Sequence, residues 1–397
     1  MGILTILLTI ILVLLLPLGQ VLRLDLGNSV ALNPLDIGVC IVAILSIGVA
    51  IKKKQLPLTA KLLGLFCLLG LFGLLFRARM LTTNELFISF LYLFRFMCYG
   101  AIALGVYFLP KKEWVWKGLL VGGGVVVAAG YIQYAFYQSL WGVLYEGWDP
   151  HLYRMFSTFL DPNFSGPFFA CYFLLILTMW FGAKTRKKKI LWGVWGIATF
   201  FAVVLSFSRG AYIDLSVSTV AYLFLKGHKK IAISIPLLII AASLLIAYFL
   251  PYGEEKHLFR TASTEARLVS AENALTIFEK NPIIGVGFNS YRYAQYRYHL
   301  LSGFNWEDTH SGAGANNSYV FVLATTGIVG GIMYGWFWLT VLKSSVRSLK
   351  EKKTYALFFF SSWIALLVSG IFENTLFYPS IMVWMWILLG LSSQSEN

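Results

Sequence analysis

Apolar runs that are long enough to cross a bilayer recur along the chain and are separated by short polar segments. A transmembrane helix needs about 20 consecutive, mostly apolar residues. Twelve such runs lie at 3–22, 35–51, 60–76, 86–109, 117–138, 163–182, 190–206, 210–225, 230–250, 317–341, 356–371 and 378–392. The pattern therefore predicts an all-α polytopic membrane protein with about twelve transmembrane helices.

The composition supports this prediction. Of the 397 residues, 58% are hydrophobic and 13% are charged, and the mean hydropathy is +0.73. A soluble globular chain has about 25% charged residues. An ordinary cytosolic enzyme, a disordered chain and a disulfide-rich secreted module are therefore excluded. All four cysteines lie within apolar runs, which predicts small buried residues rather than disulfides or metal ligands.

The charges between the runs predict an orientation. The formal net charge is +14, and the loops on the side of the termini carry 18 lysines and 2 arginines. By the positive-inside rule, the termini are expected in the cytoplasm. The opposite face carries nine arginines and two lysines. Arginine binds phosphate oxygens through two parallel hydrogen bonds and keeps its charge when partly desolvated. This bias predicts an outer site for a phosphate-bearing anion, although ion pairing with outer acids could explain any single arginine.

The runs also predict how the chain is organised. Residues 1–250 are expected to form transmembrane helices 1–9, and 251–316 to form one long extracytoplasmic loop. Residues 317–397 are expected to form helices 10–12 and a short cytoplasmic tail. This loop is the one long stretch with the polar composition of a soluble segment.

An amphipathic helix is predicted at 264–280 within the loop, with Thr264 as its N-cap. Arg267, on the flank of its apolar face, is expected to point along the membrane surface toward a lipid headgroup. The apolar face consists of Leu268, Ala271, Leu275 and Phe278.

Two segments stand out because polar residues interrupt apolar sequence. The segment RMFSTFLDPNFSGPFF at 154–169 contains an Asp-Pro-Asn turn that is typical of a helix start. The segment SFSRGAYIDL at 206–215 places Arg209 where two short spans meet. A charge at that depth requires a partner or a function. Arg209 therefore belongs either to an anion site or to a structural pair with Asp214.

Two further segments flank the end of the long loop. The glycine-punctuated turn NPIIGVG lies at 281–287, and no phosphate-loop lysine follows it, so the glycines alone are a weak signal. The segment NNSYV at 316–320 opens a span that continues into TGIVGG at 326–331. His151, His257 and His299 are expected at the surface, and His228 at the cytoplasmic side.

The sequence resembles the O-antigen polymerase/ligase family of bacterial envelope glycosyltransferases. The resemblance rests on Ser208-Arg209-Gly210, Arg267, NPIIGVG and NNSYV leading to TGIVGG, in the family's order. The Asp-Pro-Asn turn, with Asn163, resembles a further family feature. The match covers about 154–340.

This resemblance implies a GT-C-type glycosyltransferase of the bacterial cytoplasmic membrane with its active site on the outer face. Its donor would be a glycan on polyprenyl (undecaprenyl) pyrophosphate, and its acceptor another glycan or a lipid. Because fixed guanidinium groups can stabilise a departing pyrophosphate, we expect no metal and no cofactor. A polymerase of O-antigen, capsule or exopolysaccharide is favoured over a ligase. A lipid-linked oligosaccharide flippase, a further alternative, would be expected to place cations along a central cavity. A peptidoglycan polymerase is also considered, but the chain lacks that family's motifs.

The resemblance also implies roles for individual residues. The predicted catalytic residues are Arg209 and Arg267, with His310 as the base that activates the acceptor. His310 is proposed because the family's His-Asn pair is Asn316-Asn317 here, and asparagine cannot take a proton at neutral pH. Glu307, Asp308 or no strong base at all remain alternatives. The predicted substrate-binding residues are Arg154, Asn163, Arg292, Arg297, Asn316 and Asn317.

Overall fold

The computed structural model describes residues 2–25, 31–142, 149–249, 261–301, 314–353 and 355–392. Their main elements are helices, labelled here in chain order. The helices are α1 (Gly2–Leu18), α2 (Pro34–Lys53), α3 (Leu58–Phe76), α4 (Thr83–Tyr107), α5 (Glu113–Phe136), α6 (Pro162–Gly182), α7 (Arg186–Leu205), α8 (Arg209–Leu225), α9 (Lys229–Phe249), α10 (Thr261–Lys280), α11 (Tyr291–Arg297), α12 (Ser318–Lys350), α13 (Ala356–Phe372) and α14 (Pro379–Ser392).

Each of the twelve predicted apolar runs coincides with a helix, which confirms an all-α polytopic membrane architecture. Within the described ranges, eight of these helices are long and apolar enough to span a bilayer, namely α2 to α7, α9 and α12. Helices α1, α8, α13 and α14 are shorter, so the number of crossings stays a prediction. Helix α12 continues to Lys350, well beyond the predicted boundary at residue 341.

Short elements complete the fold. Strands β1 (Leu24–Asp25) and β2 (Ala31–Leu32) pair in antiparallel register after α1. Among the described residues, 3₁₀ turns precede or follow long helices at Ala78–Met80, Ser157–Phe159 and Thr375–Phe377. These turns connect helices at points where the chain changes direction.

Helix α14 lies at the centre of the bundle, and almost every residue from Pro379 to Leu391 is buried. It is apolar on all sides, as expected for a helix surrounded by other helices. The Trp384 ring packs on Phe168 of α6 with ring centroids 5.1 Å apart. The Trp386 ring packs on Phe337 of α12, 5.8 Å away. Because α14 contacts helices from both halves of the chain, it joins them in one core.

The segment 281–287 docks onto a break inside α12. Gly327 has φ +66° and ψ −169°, a conformation that non-glycine residues rarely adopt. The Ile328 N–H donates a hydrogen bond to the Pro282 carbonyl oxygen (2.8 Å). A Cβ at Gly327 would lie 2.2 Å from the Ile283 carbonyl oxygen, so only glycine fits. The two glycine-rich motifs therefore form one joint that fixes the loop against the bundle.

The predicted loop helix is confirmed, but two of its details are wrong. Helix α10 begins at Thr261 rather than after Thr264. Its buried residues are Ala274 and Ile277, whereas Leu268 and Leu275 of the predicted apolar face are exposed. The small Ala274 side chain allows α10 to approach α12 closely, and this tertiary contact outweighs the larger apolar residues on the other face.

Candidate active site

An ion pair connects the loop helix to the turn that follows α13. Arg267 of α10 donates from Nη2 and Nε to Glu373 Oε1, at 2.5 and 3.2 Å. Both side chains are mostly buried. Arg267 therefore points toward the bundle and not along the membrane surface, which corrects the orientation predicted from the sequence.

The turn after α13 also contacts the start of α12. Asn317 caps α12, because its Oδ1 accepts from Tyr319 N and Val320 N, and its Nδ2 donates to the Ile371 carbonyl oxygen (2.9 Å). Asn316 N donates to Ser270 Oγ of α10 (3.0 Å). Both asparagines predicted to bind substrate thus lie around the Arg267–Glu373 pair, where they fix the geometry of the backbone.

The Asp-Pro-Asn turn at the start of α6 forms the opposite side of the site. Asp161 is the N-cap, and its Oδ1 accepts from Asn163 N (2.8 Å). Asn163 Oδ1 in turn accepts from Arg154 Nη2 and from Ser208 Oγ, each at 3.3 Å. The turn is therefore connected directly to Ser208, the residue before Arg209.

Arg154 is 3% exposed and fixes the backbone that leads into α8. Its Nε donates to the Ser206 carbonyl oxygen (2.9 Å), and its Nη2 lies 3.4 Å from the Phe207 carbonyl oxygen. The guanidinium group thus bonds to carbonyls on the approach to Arg209. Its predicted role in substrate binding stays a prediction.

Arg209 begins α8 and is partly buried. A Cβ at the following residue, Gly210, would lie 3.3 Å from Phe372 Cβ. Phe372 immediately precedes Glu373, the partner of Arg267. The starts of α6 and α8, the end of α13 and helix α10 therefore meet at one place. The structure gathers Arg154, Asn163, Arg209, Arg267, Asn316 and Asn317 there, and we call this group the arginine cluster.

Two carboxyl groups of the site have perturbed pKa values. Burial raises the pKa of Asp161 to about 7, and the nearby Glu373 charge adds to this effect. The Asn163 N–H and the Arg154 charge act in the opposite direction. Burial likewise raises the pKa of Glu373, against the stabilising charge of Arg267. The site therefore contains one acid, Asp161, whose protonation changes near neutral pH, and a second, Glu373, whose pKa is also raised.

The structural alternative for Arg209 is wrong. Both carboxylate oxygens of Asp214 are fully buried and have no hydrogen-bond partner among the described residues. No ion pair joins Asp214 to Arg209 within the part of the chain that the structure describes. Arg209 is thus not explained by a local pair within α8.

Not every predicted residue joins the cluster. Arg297 of α11 pairs with Glu85 at the start of α4. Arg292 lies on the same short helix and is partly buried. His310, together with the alternatives Glu307 and Asp308, lies outside the described residues. The predicted base is therefore not located.

The sequence prediction missed three groups of the site. His151 is 5% exposed, which corrects its expected surface position, and its Nε2 lies 3.8 Å from Asp161 Oδ1. Asp161 was assigned only as a helix cap, and Glu373 was not singled out. An acid between two apolar runs was the available signal for Glu373, but no pattern marked His151.

The chain around His151 has an unusual backbone. Four non-glycine residues between 151 and 160 have positive φ, as does Phe207, which precedes the start of α8. Such conformations are costly and cluster at functional sites. The four residues are His151, Tyr153, Ser157 and Leu160. The contacts of the surrounding helices thus force this loop into its shape beside the arginine cluster.

One comparison with known proteins gives a match. The model of the O-antigen ligase family matches residues 194–335, which include Arg209, Arg267 and the first part of α12 with its break at Gly327. Asp161 and Glu373 lie outside the matched segment. No curated protein matches the sequence. Over residues 194–335 the chain is therefore similar to the O-antigen ligase family, and its multi-helix membrane fold is consistent with this similarity.

Proposed function

We propose that the protein transfers a glycan from a polyprenyl-pyrophosphate donor to an acceptor hydroxyl on the outer face of the bacterial cytoplasmic membrane. The family supports a glycosyltransferase-type membrane enzyme with a lipid-linked glycan substrate. The observation that carries the proposal is that the elements holding Arg209 and Arg267 meet where α6 and α8 begin, α13 ends and α10 packs. Polymerisation of a polysaccharide is the favoured outcome, and ligation to a second acceptor is the alternative.

The arginine cluster suits a pyrophosphate leaving group. Guanidinium groups fixed by their surroundings stabilise negative charge as it develops, without reorganising during the reaction. Arg267 is oriented by Glu373, and Arg209 follows a turn that Arg154 holds in place. In this proposal Arg209 and Arg267 contact the two phosphates, while Arg154 and Asn163 position Arg209.

The charges at the two ends of the bundle support the orientation. Helix α8 begins at Arg209 and ends next to Lys226, and α9 then begins at Lys229. The arginine cluster thus lies at the end of α8 opposite to the lysines. By the positive-inside rule, the lysine-rich end faces the cytoplasm and the cluster faces outward.

The arrangement of the cluster also favours an enzyme over a flippase. The one cation that the sequence predicts inside a span, Arg95, is paired with Asp36. Arg154 lies in the loop before α6, Arg209 at the start of α8 and Arg267 on the loop helix. A translocation pathway would be expected to place unpaired cations along its length.

Reconstitution of the purified protein with a polyprenyl-pyrophosphate glycan tests the proposal. Elongation of the lipid-linked glycan without any addition indicates a polymerase. A reaction that starts only when a second acceptor is added indicates a ligase. A wild-type protein that is inert with both acceptors, over a range of lipid-linked glycans, would contradict the proposal.

Substitution by lysine tests the role of the arginines. Arg209→Lys and Arg267→Lys keep the charge but lose bidentate geometry, so transfer should fall by about 100-fold or more. Arg347→Lys is the matched control, because Arg347 is exposed and pairs with Glu351 on the lysine-rich side. Near-normal transfer by both cluster variants would contradict the proposed contact between these arginines and the pyrophosphate.

A further inference from the structure

We propose that Asp161 is the general base that takes the proton of the acceptor hydroxyl, and that His151 positions it. This inference rests on the proposed glycan transfer and names a residue for a step that the arginines cannot perform. Guanidinium groups remain protonated at any physiological pH, so they can stabilise the leaving group but cannot accept a proton. The step therefore requires another group.

The geometry of Asp161 leaves one of its carboxylate oxygens available. Oδ1 caps α6 by accepting from Asn163 N (2.8 Å). Oδ2 makes no hydrogen bond to any residue that the structure describes, and the side chain is 22% exposed. The helix cap thus fixes the carboxylate in one orientation, with the second oxygen available to an acceptor hydroxyl.

Asp161 also lies beside the leaving-group site. Its neighbour two residues along, Asn163, bonds to Arg154 and to Ser208, which precedes Arg209. Across the site, Glu373 is close enough to Asp161 to raise its pKa, and Glu373 binds Arg267. A base at this position is therefore linked, through Asn163 and Glu373, to the groups that hold the two predicted pyrophosphate contacts.

The protonation behaviour of Asp161 suits the task. A general base is most effective when its pKa lies near the working pH. An ordinary aspartate is too weak a base, because its pKa is near 4. Burial and the Glu373 charge raise the pKa of Asp161 to about 7. The carboxylate is therefore a stronger proton acceptor here than in water.

Other described groups of the site are less suited to the role. Both bonds from Arg267 end on Glu373 Oε1, so protonation of Glu373 would weaken the pair that orients Arg267. Asn316 and Asn317 cannot accept a proton at neutral pH. Asp214 lies within α8 and is completely buried.

His151 lies behind Asp161 and acts through it. The distance from His151 Nε2 to Asp161 Oδ1 is 3.8 Å, and the imidazole is too buried to contact a bulky glycan. A protonated imidazole at this distance stabilises the carboxylate form of Asp161. His151 has a positive φ, which is costly for a non-glycine residue. Contacts with the surrounding fold therefore hold its backbone, and with it the imidazole, in this position.

The proposed step balances as follows. The acceptor oxygen forms a bond to the anomeric carbon of the donor glycan as the bond from that carbon to the pyrophosphate oxygen breaks. The electron pair of the broken bond leaves with the pyrophosphate, beside Arg209 and Arg267. The hydroxyl proton moves to Asp161 Oδ2 and later to solvent.

Among the described residues, several titratable or charged groups lie near Asp161 and influence the pH at which it loses its proton. They come from the loop before α6, from the turn after α13 and from the residue before α14. They are Asp149, His151 and Arg154 in the loop, Glu373 in the turn, and Tyr378, whose ring stacks on Phe164.

The pH–rate profile of the reconstituted enzyme tests the proposal. The transfer rate of the wild type should rise through about pH 7, as Asp161 loses its proton. Asp161→Asn should reduce transfer by about 100-fold or more and remove this rise. Donor binding should persist, because asparagine caps a helix as well as aspartate does. Asp161→Glu should restore part of the rate.

Two further variants separate a catalytic role from a structural one. His151→Asn should move the rise to higher pH while the rate at high pH changes by less than threefold. Asp149→Asn is the matched control, since it removes a nearby exposed carboxylate. It should keep the maximal rate and move the rise slightly to lower pH.

The outcomes distinguish this inference from the proposed function. If the wild type transfers glycan and Asp161→Asn is equally active with an unchanged profile, Asp161 is not the base, although the transferase proposal stands. If His310→Ala abolishes transfer while Asp161→Asn does not, the base is His310. An inert wild type would overturn the proposed function itself.

Discussion

Two groups of acidic and basic residues lie in this bundle, and they differ in how completely their charges are paired. In the first, Asp36 of α2 accepts from Arg95 Nε (2.7 Å) and Nη2 (3.0 Å), and from Tyr99 OH (2.7 Å). It also accepts from Asn33 N in the capping box of α2. Both oxygens of Asp36 are therefore occupied.

The arginine cluster is organised differently. Glu373 lies close enough to Asp161 to raise the pKa of Asp161, and Asp161 Oδ2 has no partner among the described residues. A closed pair such as Asp36–Arg95 joins two helices and offers nothing to a ligand. An open group keeps hydrogen-bonding capacity for a substrate. The first group therefore stabilises the fold, whereas the second is the group proposed to act on the substrate.

The largest expected effect concerns the closed pair. Arg95→Leu alone leaves Asp36 buried without its counter-charge, which should cost about 3–5 kcal/mol of stability. The double variant Asp36→Leu/Arg95→Met should recover most of this loss, because it removes both charges. Thermal unfolding in detergent measures both. A loss below about 1 kcal/mol in the single variant would mean that the pair is not structural.

Arg154 and Arg297 test whether the burial of an arginine determines its contribution to stability. Arg154→Met removes hydrogen bonds to buried carbonyl oxygens, so it should cost about 2–3 kcal/mol. Arg297→Met removes a more exposed pair with Glu85, so it should cost at most about 1 kcal/mol. Equal losses in thermal unfolding would show that burial does not separate these arginines.

Glu373→Gln is expected to change both the transfer rate and its dependence on pH. The substitution removes the partner that orients Arg267, so transfer should fall about tenfold, equivalent to about 1.4 kcal/mol. It also removes a negative charge that raises the pKa of Asp161. The rise in the pH–rate profile should therefore move to lower pH. A lower rate with an unchanged profile would show that Glu373 and Asp161 are not coupled.

The titration of Asp161 is also expected to change the free energy of unfolding. Because the pKa of Asp161 is about 7 when folded and near 4 when unfolded, the wild type loses stability as the pH rises between these values. Asp161→Asn removes this loss and keeps the helix cap. It should match the wild type in free energy of unfolding at pH 4 and be more stable than the wild type at pH 8. Unfolding temperatures across this range provide the check, and equal values at pH 8 would contradict the shifted pKa.

The sequence predicted the helices better than their packing. Apolar runs have to be helical in a bilayer, because every backbone group must be bonded internally, so their positions follow from hydropathy. Which face of α10 would be buried did not follow, since Ala274 is chosen by the close approach of α12. The break at Gly327 was also not predicted, because it depends on docking of the segment near Pro282.

The candidate site was predicted in part for a similar reason. Arg209 stood out because it is a charge where two apolar runs meet, and Arg267 because it lies on the predicted loop helix upstream of the NPIIGVG turn. Glu373 and His151 did not, because their relevance depends on neighbours that are distant in sequence. Arg267 and Glu373, for example, are 106 residues apart.

What the sequence determined by itself is the membrane class, the positions of the helices and the bias of arginine toward one face. Hydropathy and charge are properties of residues, so they are readable before folding. The partner of each charged group, by contrast, became known only from the folded arrangement of the helices. Pairing depends on distances between helices, and burial then sets how strongly a group such as Asp161 retains its proton.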